Sequence, residues 1–495
     1  MNIKNFKKDA ILNILGLLLP TLIFLMLTPI MIDKLGAAAF GVIVLVQLTT
    51  GYMNILNFGI SEAIIKHVAE NLETDIDQAM RVMWVSLCVF LFAGIVGSAI
   101  IATIAPWLSY DVLEIPEHLR AETVTALYIA AGVFFLQMIA EFYRGCALGC
   151  QRFDIPNISR IARVTLSALF IVYALETGGG IVAVMVASFL GLAVGLIVNI
   201  IWMQLVIPLR FIRGGYKGIL SQLLHFTKHI FATQFCGAFS NRIPQFVLGS
   251  VISVSNVAFY DVTTRAGDAA SSIFTRIIQV FYPAFSGMDQ DTRIPKILSI
   301  LLSVMSIQLF LITPVTLMVV LEGHSLLAIW IDDVFSEAAK SIILFVSLSY
   351  FFRSLNNLPF YCAMSLNAPW IISRYAVLRL ICVLVLIYPL VKVYGLDGAA
   401  ATLFLVSLLN LGMIYKICSV IFKVNIYKLL LRPLIVHSVV SFALYFLYNN
   451  WFINTDFYTP FGALLFGIVQ MLIAIVLGCL TKNDAVRLIR VFIKW

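Results

Sequence analysis

Residues 82–106, VMWVSLCVFLFAGIVGSAIIATIAP, contain no charged side chain. Runs of this kind recur along the whole chain, each near the ~20 residues that a helix needs to cross a bilayer. A segment that leaves water must satisfy its own backbone N–H and C=O groups, and a helix does so internally. The chain therefore reads as an all-α polytopic membrane protein. Composition agrees. Charged residues make up 12% against ~25% in soluble domains, hydrophobic residues 61%, and the mean hydropathy is +1.01.

Fourteen spans are predicted, near 9–32, 37–60, 82–106, 122–143, 157–175, 181–206, 229–250, 257–282, 297–320, 340–360, 370–390, 397–415, 433–449 and 460–480. With the N-terminus inside, and with Arg160 and Arg163 at the inner end of span 5 counted as inner, the inner segments hold 23 of the 33 Lys and Arg. The outer loops hold 3, Lys34, Arg120 and Lys392, and the remaining 7 lie within spans. This bias places both termini on the cytoplasmic side. It also accounts for the net charge of +8 without nucleic acid, which is not an expected partner. The basic start, MNIKNFKKDAILNILGLLLP, looks like a signal peptide, but its apolar run is too long, so it reads as an uncleaved first span. No loop exceeds about 25 residues, which leaves no room for a soluble catalytic domain. The eight cysteines fall in or beside spans and read as small buried hydrophobes.

An internal repeat is visible. Cys146-Ala147-Leu148 matches Cys362-Ala363-Met364, and Ile158-Ser159-Arg160 matches Ile372-Ser373-Arg374. FGV at 40–42 aligns with VAF at 257–259, and the GG at 179–180 with the YG at 394–395. All share an offset near 215, an even number of spans, so the repeats are parallel, related by an axis along the membrane normal. The expected domains are two six-helix lobes, 1–220 and 221–430, followed by two additional C-terminal helices in 431–495. Rocking one lobe against the other would give alternating access. Pro20 and Pro29 in span 1 and Pro244 in span 7 are candidate bend points, or static kinks.

Span 8 raises the sharpest question. At ~100° per residue, Asp261, Arg265, Asp268 and Arg276 fall within an arc of about 80°, with Ser272 among them. A charge at mid-depth costs at least ~2.5–3.5 kcal/mol, so the four are expected to face a shared cavity or interior. The alternative is structural: Asp261–Arg265 and Arg265–Asp268 have the spacing of pairs that would neutralise one another on the helix. Arg242 in span 7 and Arg353 in span 10 add to the in-span cations, which also include Lys340, Arg374 and Arg379. Arg374 and Arg379 equally suit snorkelling to headgroups. Asn357 lies one turn beyond Arg353, and Gln47 and Asn54 share a face of span 2. Glu141 and Arg144 sit at the inner end of span 4. A net positive cavity suits an anionic cargo such as a phosphate or pyrophosphate. His225 and His229 have i,i+4 spacing but lack a third ligand, so neither metal nor cofactor is expected. Residues 62–81 read as an amphipathic helix at the inner interface.

In their order along the chain, LNFGISEAIIKHVAE, GCALGCQRFDIPNISR, SNVAFYDVTTRAGD, LLAIWIDDVF and VYGLDGAAATLF resemble the polysaccharide transporters. These are the O-antigen type flippases of the multidrug/oligosaccharidyl-lipid/polysaccharide exporter superfamily. The resemblance covers nearly the whole chain. It implies two six-helix lobes with two additional helices, in a bacterial inner membrane. It implies flipping of an undecaprenyl-pyrophosphate-linked oligosaccharide, driven by antiport of H⁺ or Na⁺. Expected partners are that cargo, the coupling ion and membrane lipids, with a polysaccharide polymerase and chain-length regulator beside them. On that reading Arg265 and Arg276 contact the pyrophosphate with support from Arg242 and Arg353. Asp261 or Asp268 couples the ion, and Gln47, Asn54 and Asn357 line the cavity. Span 1 lacks the arginine that lipid II flippases of the superfamily carry, which disfavours a peptidoglycan precursor. The rival readings are a drug/cation antiporter, a membrane-embedded polymerase or ligase, and a non-transporting scaffold. The first would want an acidic, aromatic cavity, and the second a sizeable outer loop.

Overall fold

The computed structural model describes residues 3–57, 59–72, 75–152, 154–206, 208–279, 290–366 and 368–424. Among these there is no strand. The helices are α1 (Ile3–Met53), α2 (Ile60–Asn71), α3 (Ile76–Trp107), α4 (Glu117–Gly149), α5 (Asp154–Glu176), α6 (Ile181–Val206) and α7 (Ile219–Val251). Then follow α8 (Val254–Gln279), α9 (Gln290–Trp330), α10 (Asp333–Leu355), α11 (Asn357–Ser365), α12 (Pro369–Ser407) and α13 (Leu409–Ile417). Among the described residues seven helical segments are long and apolar enough to cross a membrane. Spans 13 and 14 of the sequence reading lie outside the described residues.

Two predicted loops are reduced to one glycine each. Spans 1 and 2 run together as α1, broken only at Gly36 (φ 80°), and spans 11 and 12 as α12, broken at Gly395 (φ 59°). Only glycine takes these left-handed dihedrals without a Cβ penalty. The break in α1 is thus at Gly36, while Pro20 and Pro29 sit inside the helix. Side-chain caps start two helices: Asp75 accepts from the Gln78 N–H at 2.9 Å, and Asp332 from the Phe335 N–H at 2.6 Å. Of the amphipathic helix read over 62–81, only the part to Asn71 forms as α2, which buries Ile60, Ala63, Ile64 and Val68, whereas residues 76–81 open α3 behind the Asp75 cap.

The chain folds as two compact units, Met1–Asp261 and Val262–Trp495. In the first unit, small residues let helices approach closely. Gly191 and Gly195 of α6 press on Ser167, Ser159 and Arg163 of α5, and Ser159 Oγ donates to the Gly195 carbonyl at 2.7 Å. Gly145 and Gly149 of α4 press likewise on Ser61, Ile64 and Val68 of α2. The second unit is built on an apolar core including Leu301, Leu309, Leu355, Leu358, Ile371 and Ile417.

Side chains from distant segments join ends that the alternating span count puts on one side. Lys34 pairs with Glu176 at 3.4 Å, Arg81 Nε donates to the Gly214 carbonyl at 3.1 Å, and Ser61 meets Glu141. The order of helices also recurs. Helices starting at 76, 117 and 154 are followed by helices starting at 290, 333 and 369, the spacing already visible in the sequence repeat.

Candidate functional site

In the first unit, polar side chains of three predicted spans gather where α1, α7 and the start of α8 meet. Arg242 on α7 lies against Gly51 of α1 so closely that a Cβ there would overlap the guanidinium, and Nη1 reaches the Leu48 carbonyl at 3.5 Å. Beside it Tyr52 packs on Phe239 and Phe246, with ring centroids 5.0 and 5.1 Å apart. One turn along α7, Gln245 Nε2 donates to Asp261 Oδ1 at 2.8 Å. Asp261 is 2% exposed and Gln245 is also buried. Gln47 is exposed on α1. The α-helix stops at Met53, so Asn54 opens a 3₁₀ turn instead of continuing Gln47's face; its side chain lies outside the described residues.

The second unit holds the other candidates. Arg353 Nη1 on α10 donates to Asp268 Oδ1 on α8 at 3.1 Å, with side chains 40% and 55% exposed. The same guanidinium lies 5.6 Å from the Tyr350 ring centroid. Tyr350 rests on Gly267, where a Cβ would sit 2.6 Å from Cε2. Here α8, α9 and α10 enclose a crevice of about 320 Å³. Its walls are mainly apolar, with hydroxyls from Thr263, Ser271, Thr316, Ser347, Tyr350 and Ser354. Arg265 is half-buried on the same helix, and Asn357 half-buried at the start of α11. The side chains of Arg276, Ser272, His225 and His229 lie outside the described residues. No group of three metal-ligating side chains occurs among the described residues.

The column on α8 is therefore not uniform. Asp261 is enclosed with Gln245, whereas Asp268, two turns on, is open and held by Arg353 of α10. Helical periodicity sets the direction of a side chain relative to its own axis, but the neighbouring helices set what it meets. Sequence reasoning also missed Gln245, Gly51, Gly267 and Tyr350. The signals were present: Gln245 lies three residues after Arg242, and Tyr350 three before Arg353, spacings that share a face.

A further ionic cluster ties α2 to α4. Arg144 donates to Glu141 at 2.8 and 2.5 Å and to Ser61 Oγ at 3.0 Å, and Ser61 Oγ donates to Glu141 Oε1 at 3.0 Å. The three side chains satisfy one another, which makes the triad a structural clasp. Arg374 stacks over Trp370, 4.8 Å from its centroid, at the start of α12.

Chemically, a guanidinium that keeps exposed donors at membrane depth can hold a phosphate oxygen pair. A carboxylate held by one solvent-exposed ion pair can exchange that partner for another cation. Arg353 and Asp268 have that character, and Asp261 as it stands is closed.

Comparison with known proteins places this geometry in a family. Residues 6–289 match the family described as polysaccharide biosynthesis protein. A Shigella flexneri protein named "Putative O-antigen transporter" is 20% identical over 422 residues, covering 83% of this chain and 98% of that one. The lipid II flippase MurJ, in an inward closed conformation, gives a TM-score of 0.76 at 11% identity, over 94% of this chain and 98% of its own. An inward-facing multidrug resistance MATE family transporter of the MOP superfamily gives 0.62 at 14% identity, over 82% and 96%. At these identities the structural likeness speaks for the fold alone. Because the family match takes in more than half of the residues, the chain belongs to the polysaccharide biosynthesis protein family, as a polytopic helical membrane protein with the fold of those transporters.

Proposed function

We propose that the protein flips an undecaprenyl-pyrophosphate-linked oligosaccharide, an O-antigen or similar surface-polysaccharide repeat unit, across a bacterial inner membrane. The observation that carries the reading is the set of arginines on predicted spans that stay partly open: Arg242, Arg265 and Arg353. Each costs at least ~2.5–3.5 kcal/mol if left to lipid, and an anionic cargo is what such donors suit. The relatives named as transporters, rather than enzymes, support the same class.

Translocation proceeds by alternating access of two six-helix lobes, 1–220 and 221–430, with 431–495 supplying two further helices and both termini cytoplasmic. The recurrence of helix starts supports this division. So does the crossing of α1 and α8 at Gly41 and Ala258, positions that align in the sequence repeat. Arg265, Arg276, Arg242 and Arg353 serve the pyrophosphate, and Gln47, Asn54 and Asn357 the polar lining. Of the two acids, Asp268 is the better coupling site: it is 55% exposed and its Arg353 partner is exchangeable. Asp261 would first have to leave Gln245. The coupling ion is H⁺ or Na⁺, and a polymerase and chain-length regulator act on the delivered cargo.

The test is uptake of a defined lipid-linked oligosaccharide into reconstituted vesicles, comparing wild type with Arg265→Ala and Asp268→Asn. The reading expects both variants to lose most transport, with Asp268→Asn also insensitive to an imposed ion gradient. Normal transport by both would overturn the site. Transport of organic cations in place of the oligosaccharide would move the protein to the antiporter class.

A further inference from the structure

The segment joining α6 to α7, residues 207–218, reads IPLRFIRGGYKG and contains no acid. Its described part is an ordered strap tied to the first turns of α3. Trp84 Nε1 donates to the Arg210 carbonyl at 2.8 Å, and Arg81 Nε to the Gly214 carbonyl at 3.1 Å. Phe211 meets Trp84 edge-on at 5.6 Å and stacks with Tyr216 at 6.2 Å. Gly214, Gly215 and Gly218 all have positive φ, which lets the strap fold back on itself.

The strap uses its backbone for these ties and leaves its charges outward. Arg210, Arg213 and Lys217 are exposed, and among the described residues none has an ion-pair partner. Phe211 is 66% exposed. The nearby carboxylates on α3 are Asp75, which caps that helix, and Asp77. The strap directly follows α6 and lies on the end of α3, both long and apolar enough to cross a membrane, and the end of a span is where headgroups lie. Indole and aromatic rings beside a span are also typical of that level.

We propose that this strap is a binding surface for anionic phospholipid headgroups. Arg210, Arg213 and Lys217 contact the phosphates, and Phe211 inserts into the acyl boundary. The backbone ties to Trp84 and Arg81 pre-order the surface. Anionic lipid thereby pins the connection between α6 and α7 to the membrane plane.

The experiment is backbone hydrogen exchange of the 208–218 segment. The full-length protein is placed in nanodiscs of phosphatidylcholine alone or mixed with phosphatidylglycerol. Exchange is expected to slow in the anionic discs, by about fivefold for each cation engaged, and to recover at high salt. The triple variant Arg210→Gln, Arg213→Gln, Lys217→Gln should exchange alike in both lipids. Equal exchange of the wild type in both lipids, or full lipid dependence in the triple variant, would overturn the proposal. Equal protection by inorganic pyrophosphate in phosphatidylcholine discs would overturn it as well, by assigning the surface to a soluble anion.

Discussion

Substituting Gly41 with alanine should damage this protein more than the same change at Gly51, although both glycines lie on α1 against α7 or α8. A Cβ on Gly41 would sit 2.7 Å from the carbonyl carbon of Val254 and nearer still to its oxygen, with the Ala258 nitrogen at 3.5 Å. Ordinary contact begins at 3.4 Å, so the carbonyl carbon alone would require α1 and α8 to part by about 0.7 Å, and the nearer oxygen requires more. The obstacle is backbone in a helix and cannot rotate away. Overpacking of this kind costs about 1–3 kcal/mol, which raises the unfolded-to-folded ratio roughly 5- to 150-fold at 1.4 kcal/mol per tenfold. At Gly51 the three atoms nearest the new methyl all belong to the guanidinium tip of Arg242, the far end of a flexible side chain. Gly51→Ala should therefore unfold near the wild-type midpoint while displacing Arg242 and slowing transport. The assay is denaturation of purified protein in mixed micelles, with vesicle transport measured alongside. Ala258→Gly should not rescue Gly41→Ala, because the overlap is with the Val254 carbonyl. Rescue by Ala258→Gly, or a larger loss of stability at Gly51 than at Gly41, would refute the reasoning.

Breaking the Arg353–Asp268 pair by Arg353→Gln should cost under about 1 kcal/mol of stability, since both side chains are substantially exposed, yet abolish most transport; micelle unfolding and vesicle uptake measured together check the split. Asp261→Ala should cost about 1–3 kcal/mol, because it strands the buried Gln245 amide, whereas Asp261→Asn should retain most of that stability. Burial pushes the Cys150 thiol up to about 11, with Arg152 opposing. In a variant keeping only that cysteine, maleimide labelling should be slow at neutral pH and rise about tenfold per pH unit as thiolate forms. A labelling rate independent of pH would contradict the buried setting of that thiol.

The helical membrane class and the recurrence of helix starts were legible because both are local or periodic. Apolar runs and an offset near 215 need no knowledge of neighbours. The same is true of α2, whose amphipathic pattern shows in the first half of 62–81. The turns were misread in size: spans 1 and 2 looked like helices with a loop between them, and the chain turns at Gly36 alone. Among the site residues, the sequence singled out Arg242, Arg353, Asp261 and Asp268 as charges stranded in oil. It paired Asp268 with its own helix as one alternative, whereas the partner seen is Arg353, 85 residues away.

The sequence alone therefore determined that this is a helical membrane protein with many apolar spans, and which polar residues need an explanation. These follow from the free energy of moving backbone and charge into hydrocarbon, which each segment meets by itself. The tertiary structure alone decided which acid is sealed and which is open. It also decided which glycines are contact points and where an arginine finds a ring or a carboxylate. Those depend on close approach between helices far apart in the chain, and a repeat of 3.6 residues carries no record of the neighbour it will face.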